Sequence, residues 1–170
     1  MRRVRYSVAM SLDGYIAGPN GEYDWIVMDP EIDFAALMGS FDAMVMGRKT
    51  YEFARQNPGP ATRGMTAVVL SRTLRQDDCP GVTVSDDAKG TVTKLKAAKG
   101  KDIWLFGGGS LFQSLLGLGL VDVVEVAVIP VLLGGGIPLL PAHAERAKLK
   151  LAGHRVYAKT GTVWLEYRVS

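Results

Sequence analysis

Apolar and polar positions alternate from the start of the chain. Val4, Tyr6, Val8 and Met10 are separated by Arg5, Ser7 and Ala9, a period of two that predicts a strand over residues 3–11. A stretch of turn formers follows: Asp13, Gly14, Gly18, Pro19, Asn20 and Gly21. The period then changes. Asp29-Pro30 opens a predicted helix with Phe34, Leu37, Met38 and Phe41 on one face. The apolar run 43–46 predicts a strand ending at Gly47, and residues 48–55 a short helix before Pro58, Gly59 and Pro60 break the chain.

Residues 66–70 and 82–84 read as strands, and the lysine-rich 89–99 as an amphipathic helix closed by Gly100. A strand at 103–106 runs into Gly107-Gly108-Gly109, and a helix follows over 111–118. Residues 121–129 are apolar enough to predict a strand buried on both faces. After Gly134-Gly135-Gly136 come two more strands, 149–157 and 163–169, joined by a turn at 159–161. Strands alternating with helices predict an α/β fold with a mostly parallel central sheet, and the last pair an antiparallel C-terminal hairpin at one end. With no linker and no repeat, one domain over 1–170 is expected.

Composition narrows the function. Hydrophobic residues at 48% and charged residues at 22% exclude a disordered chain. Glycine, 20 of 170 residues, is in excess but has no Gly-x-y period, which excludes collagen. The net charge of +3 is dispersed, which argues against a nucleic-acid partner and suits anionic small molecules. The lone Cys79 excludes an intramolecular disulfide; beside Asp77, Asp78 and Pro80 it reads as a surface thiol. Arg2, Arg3 and Arg5 precede an alternating stretch rather than a signal peptide. The run 121–133 is broken by Asp122, Glu125 and Pro130, so no membrane span is expected and the cytoplasm is the expected compartment. His143 and His154 lack metal-ligand spacing, and no metal is expected.

Candidate chemistry gathers where strands end, the place where open α/β sheets bind ligands. Gly47-Arg48-Lys49-Thr50 puts two cations and a hydroxyl at a helix N-terminus, which favours phosphate or an ordinary solvated helix start equally. Asp42 stands where a Walker A loop needs glycine. Ser71-Arg72 follows the next strand, as a polar turn or a site for a phosphate monoester. Gly107, Gly108, Gly109 and Ser110 open a helix with bare backbone that a pyrophosphate could approach, though Phe112 replaces the last glycine of the Rossmann fingerprint. Asp13, just past the first strand, is either a substrate-facing acid or a turn former. Trp25 offers a stacking ring or a core side chain, and Asp33 a carboxylate near a helix start.

Taken together, MGRKTYE, VVLSR and FGGGSLF, in that order, resemble the dihydrofolate reductase superfamily. The start Ala9-Met10-Ser11-Leu12-Asp13-Gly14-Tyr15-Ile16-Ala17 and the later PVLLGGGIPLL resemble the branch shared with the C-terminal reductase domain of the bacterial riboflavin-biosynthesis deaminase-reductase. The resemblance implies a dihydrofolate-reductase-like three-layer fold, an NADPH-dependent oxidoreductase, a small heterocyclic or ribosylaminopyrimidine substrate, and a homodimer. It assigns cofactor phosphate to Gly47, Arg48, Lys49 and Thr50, the adenosine 2′-phosphate to Ser71 and Arg72, and the pyrophosphate to Gly107, Gly108, Gly109, Ser110 and Leu111. Ala9 and Ile16 would flank the nicotinamide, and Asp13 matches the branch's substrate-facing aspartate; Trp25 is a candidate substrate contact by its stacking ring alone. Dihydrofolate reductases carry a pterin-binding carboxylate on their first helix, for which Asp33 is the nearest match, at shorter spacing to Gly47. Alternatives are dihydrofolate reductase activity, a non-catalytic NADP-binding dimer, and a basic nucleic-acid-binding protein.

Overall fold

The structure, a computed structural model, describes residues 1–57 and 64–170. The expected break at Pro58, Gly59 and Pro60 lies outside them. In chain order the elements are β1 (Val4–Ser11), β2 (Tyr15–Ala17), α1 (Phe34–Gly39), β3 (Phe41–Gly47), α2 (Arg48–Gln56) and β4 (Thr66–Leu70). A 3-10 turn (Gln76–Asp78), β5 (Thr83–Ser85), α3 (Ala88–Ala97), β6 (Asp102–Gly107) and α4 (Gly109–Gly117) follow. The chain ends with β7 (Val123–Ile129), β8 (Ile137–Pro138), β9 (Leu149–Tyr157) and β10 (Thr162–Val169). Eight strands form one sheet in the order β5-β4-β3-β6-β1-β7-β10-β9. It is parallel from β5 to β7, and β10 runs antiparallel to both β7 and β9.

The period of two in β1 sends Val4, Tyr6 and Val8 to the core on one face of the sheet. Val4 and Tyr6 join Val45, Leu105 and Val124 beneath Phe112 and Leu115 of α4 and Val92 of α3. The Tyr6 and Phe112 rings stack, with centroids 4.1 Å apart. On the other face Phe41, Met44, Met46 and Trp104 pack with Tyr51 of α2, and Leu37 and Met38 of α1 close over them. Helix, sheet and helix make the expected three layers.

Ion pairs fasten the N-terminal ends of the parallel strands. Arg5 donates to Glu125 Oε1 at 2.7 Å and to Ser40 Oγ at 2.9 Å, and its guanidinium lies 4.6 Å from the Phe41 ring centroid. Asp102 is shared between Arg3 at 2.6 Å and Arg5 at 3.4 Å. Lys96 meets Asp122 at 2.6 Å, Asp122 also accepts from Val4 N–H at 2.7 Å, and Arg2 pairs with Asp42. The opposite, C-terminal ends carry glycines and helix starts.

The structure corrects several expectations. Phe41 begins β3 rather than continuing a helical face. The helix expected from Asp29 starts at Phe34, with Asp33 as its N-cap. The reason lies at Asp29. Its buried carboxylate accepts from Glu31 N–H, Thr160 N–H and Thr160 Oγ1–H at 2.9, 3.1 and 2.9 Å, which turns the chain before it can coil. Cys79 is buried among Met44, Met46 and Tyr51, not a surface thiol. A ribbon of β2 and β8, too short to show a period, lies outside the main sheet. Gly136 has φ +147°, and a Cβ there would run into the Ala17 carbonyl oxygen, so the last glycine of this triplet serves close backbone approach. Among the described residues, no helix is long and apolar enough to cross a membrane.

Candidate active site

Two helix starts lie side by side at the C-terminal end of the sheet, because β3 and β6 pair with Met46 opposite Gly107. Gly47 caps α2 and Gly108 caps α4, and in neither case does a cap side chain accept from the first-turn N–H groups. Those donors and both helix dipoles are therefore available to an anion. Thr50 stands between the two loops: a Cβ added to Gly108 would lie 3.5 Å from its Oγ1, and one added to Gly107 3.8 Å. Gly109 has a different reason to be glycine. A Cβ there would lie 2.9 Å from Pro138 O and 3.2 Å from Leu139 O, so it lets α4 press against the β8 segment.

Around these loops the expected cations differ in freedom. Arg48 pairs with Glu52 one turn on, at 3.0 Å, whereas Lys49 and Arg72 are exposed and in no ion pair among the described residues. Ser71 Oγ accepts from Thr73 N–H and Leu74 N–H at 3.2 and 3.1 Å, which shapes the turn that presents Arg72. Ser110 is exposed, and half-buried Leu111 packs against the helical core.

A cavity of about 510 Å³ opens between the second sheet face, α1 and the 26–28 segment. Ala9 lines it, as do Trp104 and Phe106 of β6 and Trp164 of β10. Trp104 is fixed by donating from Nε1 to Ser7 O at 3.0 Å, and the Phe106 ring lies 4.6 Å from it. Asp33 is the carboxylate on the wall; its Oδ1 accepts from Ala36 N–H at 2.8 Å as the cap of α1. On the far side stands Arg155 of β9, its guanidinium 4.8 Å from the Tyr157 ring centroid. The Asp29–Thr160 bonds tie the loop before α1 to the β9–β10 turn and so hold the cavity's rim together.

Asp13 lies outside this wall. Its carboxylate accepts from Ser11 Oγ at 2.6 Å, from Gly134 N–H at 2.7 Å and from Leu133 N–H at 3.1 Å. The Ser11 hydroxyl, opposed by desolvation and reinforced by the Gly134 and Leu133 N–H groups, holds the Asp13 carboxyl below the usual carboxylate range. Asp13 thus anchors the second glycine triplet to the end of β1. Ile16 is half-buried in β2, and Trp25 donates from Nε1 to Glu22 O at 3.1 Å without lining the cavity.

Sequence reading named the loops but missed most of the cavity. Trp104 and Phe106 alternate on a strand that was expected, so their common face was readable. That Trp164 and Arg155 would join them depends on the register Arg155 opposite Trp164 opposite Ala127, which spacing alone does not supply.

Comparison with known proteins agrees with this geometry. The chain is 35% identical to the uncharacterized protein YyaP of Bacillus subtilis (strain 168), over 98% of this chain and 94% of that protein. A crystal structure of a Shewanella sp. PV-4 protein, provisionally assigned to riboflavin biosynthesis, superposes with a TM-score of 0.82 at 27% identity, covering 100% of this chain and 99% of the other. Dihydrofolate reductase from Enterococcus faecalis, complexed with NADP(H) and RAB-propyl, shares the fold at a TM-score of 0.71 and 17% identity, over 99% and 96% of the two chains. The family model for the RibD C-terminal domain matches residues 2–163, and the chain belongs to that family, within the dihydrofolate-reductase-like fold.

Proposed function

We propose that the chain is an NADPH-dependent reductase that transfers hydride to a C=N or C=O group of a small heterocycle, as 5-amino-6-(5-phosphoribosylamino)uracil reductases do. One observation carries this reading. A single strand, β6, places Phe106 in the wall of an aromatic cavity and Gly107 in a loop where two uncapped helix starts meet. Membership of the RibD C-terminal domain family and the NADP(H)-bound relative of the same fold support it.

The residues fit such a cofactor. Backbone N–H groups following Gly47 and Gly108, with the Thr50 hydroxyl, would hold the pyrophosphate, and Arg48 and Lys49 supply positive charge beside it. Gly107, Gly109, Ser110 and Leu111 complete that loop. Arg72, presented by the Ser71 turn, would hold the adenosine 2′-phosphate. Ala9 and Ile16 would flank the nicotinamide. When bound, NADPH supplies the hydride. Asp33 is the carboxylate that faces the acceptor, and Asp13 stays ionised and positions residues 133–134, so that the proton comes from solvent admitted at the cavity mouth. The protein acts in the cytoplasm as a homodimer, and the exposed Leu149, Leu151 and Val156 of β9 are apolar side chains that a second copy would cover.

Calorimetry with NADPH and NADH tests the cofactor. Arg72→Ala is expected to weaken NADPH by about tenfold or more and to leave NADH nearly unchanged. Equal losses overturn the 2′-phosphate assignment, and no NADPH binding by the wild type overturns the whole reading. Turnover is then measured as NADPH oxidation with dihydrofolate and with the ribosylaminopyrimidine phosphate.

A further inference from the structure

The segment that leaves β7 is folded against the loop that follows β1. Leu12 N–H donates to Val131 O at 2.9 Å, and Leu139 N–H donates to Gly14 O at 2.9 Å. Between these two points β2 pairs with β8, with Tyr15 opposite Pro138 and Ala17 opposite Ile137. Asp13 grips the middle of the segment. Its Oδ2 accepts from Gly134 N–H at 2.7 Å, and both oxygens accept from Leu133 N–H at 3.1 Å. The carboxylate is itself held in place, because Ser11, fully buried, donates to its Oδ1 at 2.6 Å and accepts from Tyr15 N–H at 2.9 Å.

The far side of the same segment touches the start of α4. A Cβ on Gly109 would stand 2.9 Å from Pro138 O and 3.2 Å from Leu139 O. This is backbone against backbone, so no side chain can turn away to relieve it. Gly109 is the first residue of α4, and Leu139 and Leu140 pack on the same helical core as Leu111 of that helix. A displacement of β8 is therefore felt where the uncapped N–H groups of α4 stand.

We propose that Asp13 is a positioning residue of the cofactor site. By holding residues 133–134 it fixes β8, and β8 sets the first turn of α4 against the pyrophosphate. Asp13 thus acts through Gly109 and not on the acceptor. This inference rests on the reductase reading above.

The test is calorimetric titration of the full chain, with no acceptor present, using NADPH and adenosine 2′-monophosphate. The second ligand carries the phosphate assigned to Arg72 and has no pyrophosphate. Asp13→Ala, at an exposed position, should weaken NADPH about fivefold or more and leave adenosine 2′-monophosphate unchanged within about twofold. Asp13→Asn keeps an oxygen that can accept from Gly134 N–H and should regain most of the loss, a rescue that a proton-handling acid would not show. Gly109→Ala presses on Pro138 O from the α4 side and should weaken NADPH as well. Combined with Asp13→Ala it should cost less than the product of the two factors, because both act through β8. Unchanged NADPH affinity in Asp13→Ala overturns the proposal. So does an equal loss for adenosine 2′-monophosphate, no recovery in Asp13→Asn, or two factors that simply multiply. If wild type binds NADPH and any of these occurs, only this inference falls; if wild type binds no NADPH, the reductase reading falls with it.

Discussion

Replacing Arg5 by methionine removes the cation from the most deeply buried ion pair of the sheet. The Arg5 and Glu125 side chains are only 10% and 2% exposed, and they meet at 2.7 Å. Glu125 Oε2 has no hydrogen-bond partner among the described residues, so Arg5 is the group that compensates this carboxylate. The other partners lose little. Asp102 keeps Arg3 at 2.6 Å, and the Ser40 hydroxyl still donates to Leu37 O at 2.6 Å. Methionine also retains most of the contact with Phe41. The cost is therefore that of one stranded buried carboxylate, about 3–5 kcal/mol. In urea, with a slope of roughly 2 kcal/mol per molar, the midpoint should fall by about 2 M, and Tm should fall by roughly 6–20 °C. The double variant Arg5→Met with Glu125→Leu removes both charges and should regain most of the loss, since an apolar pair of similar volume does about as well as a buried ion pair. A loss under about 1 kcal/mol in the single variant, or no recovery in the double, refutes the argument.

Two further outcomes are expected. The Tyr6 hydroxyl is fully buried with no partner among the described residues, and burial alone pushes its pKa far up. Tyr6→Phe should leave stability unchanged or raise it by about 1 kcal/mol, and a loss of that size in a denaturant titration would show a hidden partner. In the folded chain burial tends to raise the Asp102 carboxyl, but the hydrogen bonds from the Arg3 side chain and N–H and the charges of Arg3 and Arg5 outweigh it, so the net shift is downward. Its stabilisation is thus complete above the unfolded value near 4 and is lost as the pH falls through the lower folded value. Urea midpoints should be flat from about pH 7 to 5 and drop below about pH 4, with Asp13 and Asp29, also held low, contributing to the drop. Asp102→Asn should make that drop shallower, and an unchanged acid limb counts against the assignment.

How much of this was legible depended on whether the information was local. Val4, Tyr6 and Val8 carry their period within one strand, and the glycines at 47 and 107–109 mark strand ends whatever the sheet order. Phe41 continued a helical spacing by coincidence; the turn set by Asp29 depends on Thr160, 131 residues away. Cys79 has acidic neighbours in sequence, and its burial comes from Met44 and Tyr51, which only the folded sheet brings over it. The same holds for the site. Phosphate-binding candidates are backbone features of single loops, whereas Arg155 reaches the cavity only through the pairing of three strands.

The place of β1 in the sheet sets the order in which the molecule can be assembled during synthesis. The first of these strands to be synthesised, β1, lies between β6 and β7, whose residues begin about a hundred positions later. Until residue 129 has emerged, β1 lacks its second neighbour, while β3, β4 and β5 can already pair with one another. The apolar Val4, Tyr6 and Val8 therefore stay uncovered until β6 and β7 are made, so the centre of the sheet closes after its β5–β4–β3 side can form, and the β9–β10 hairpin is added last.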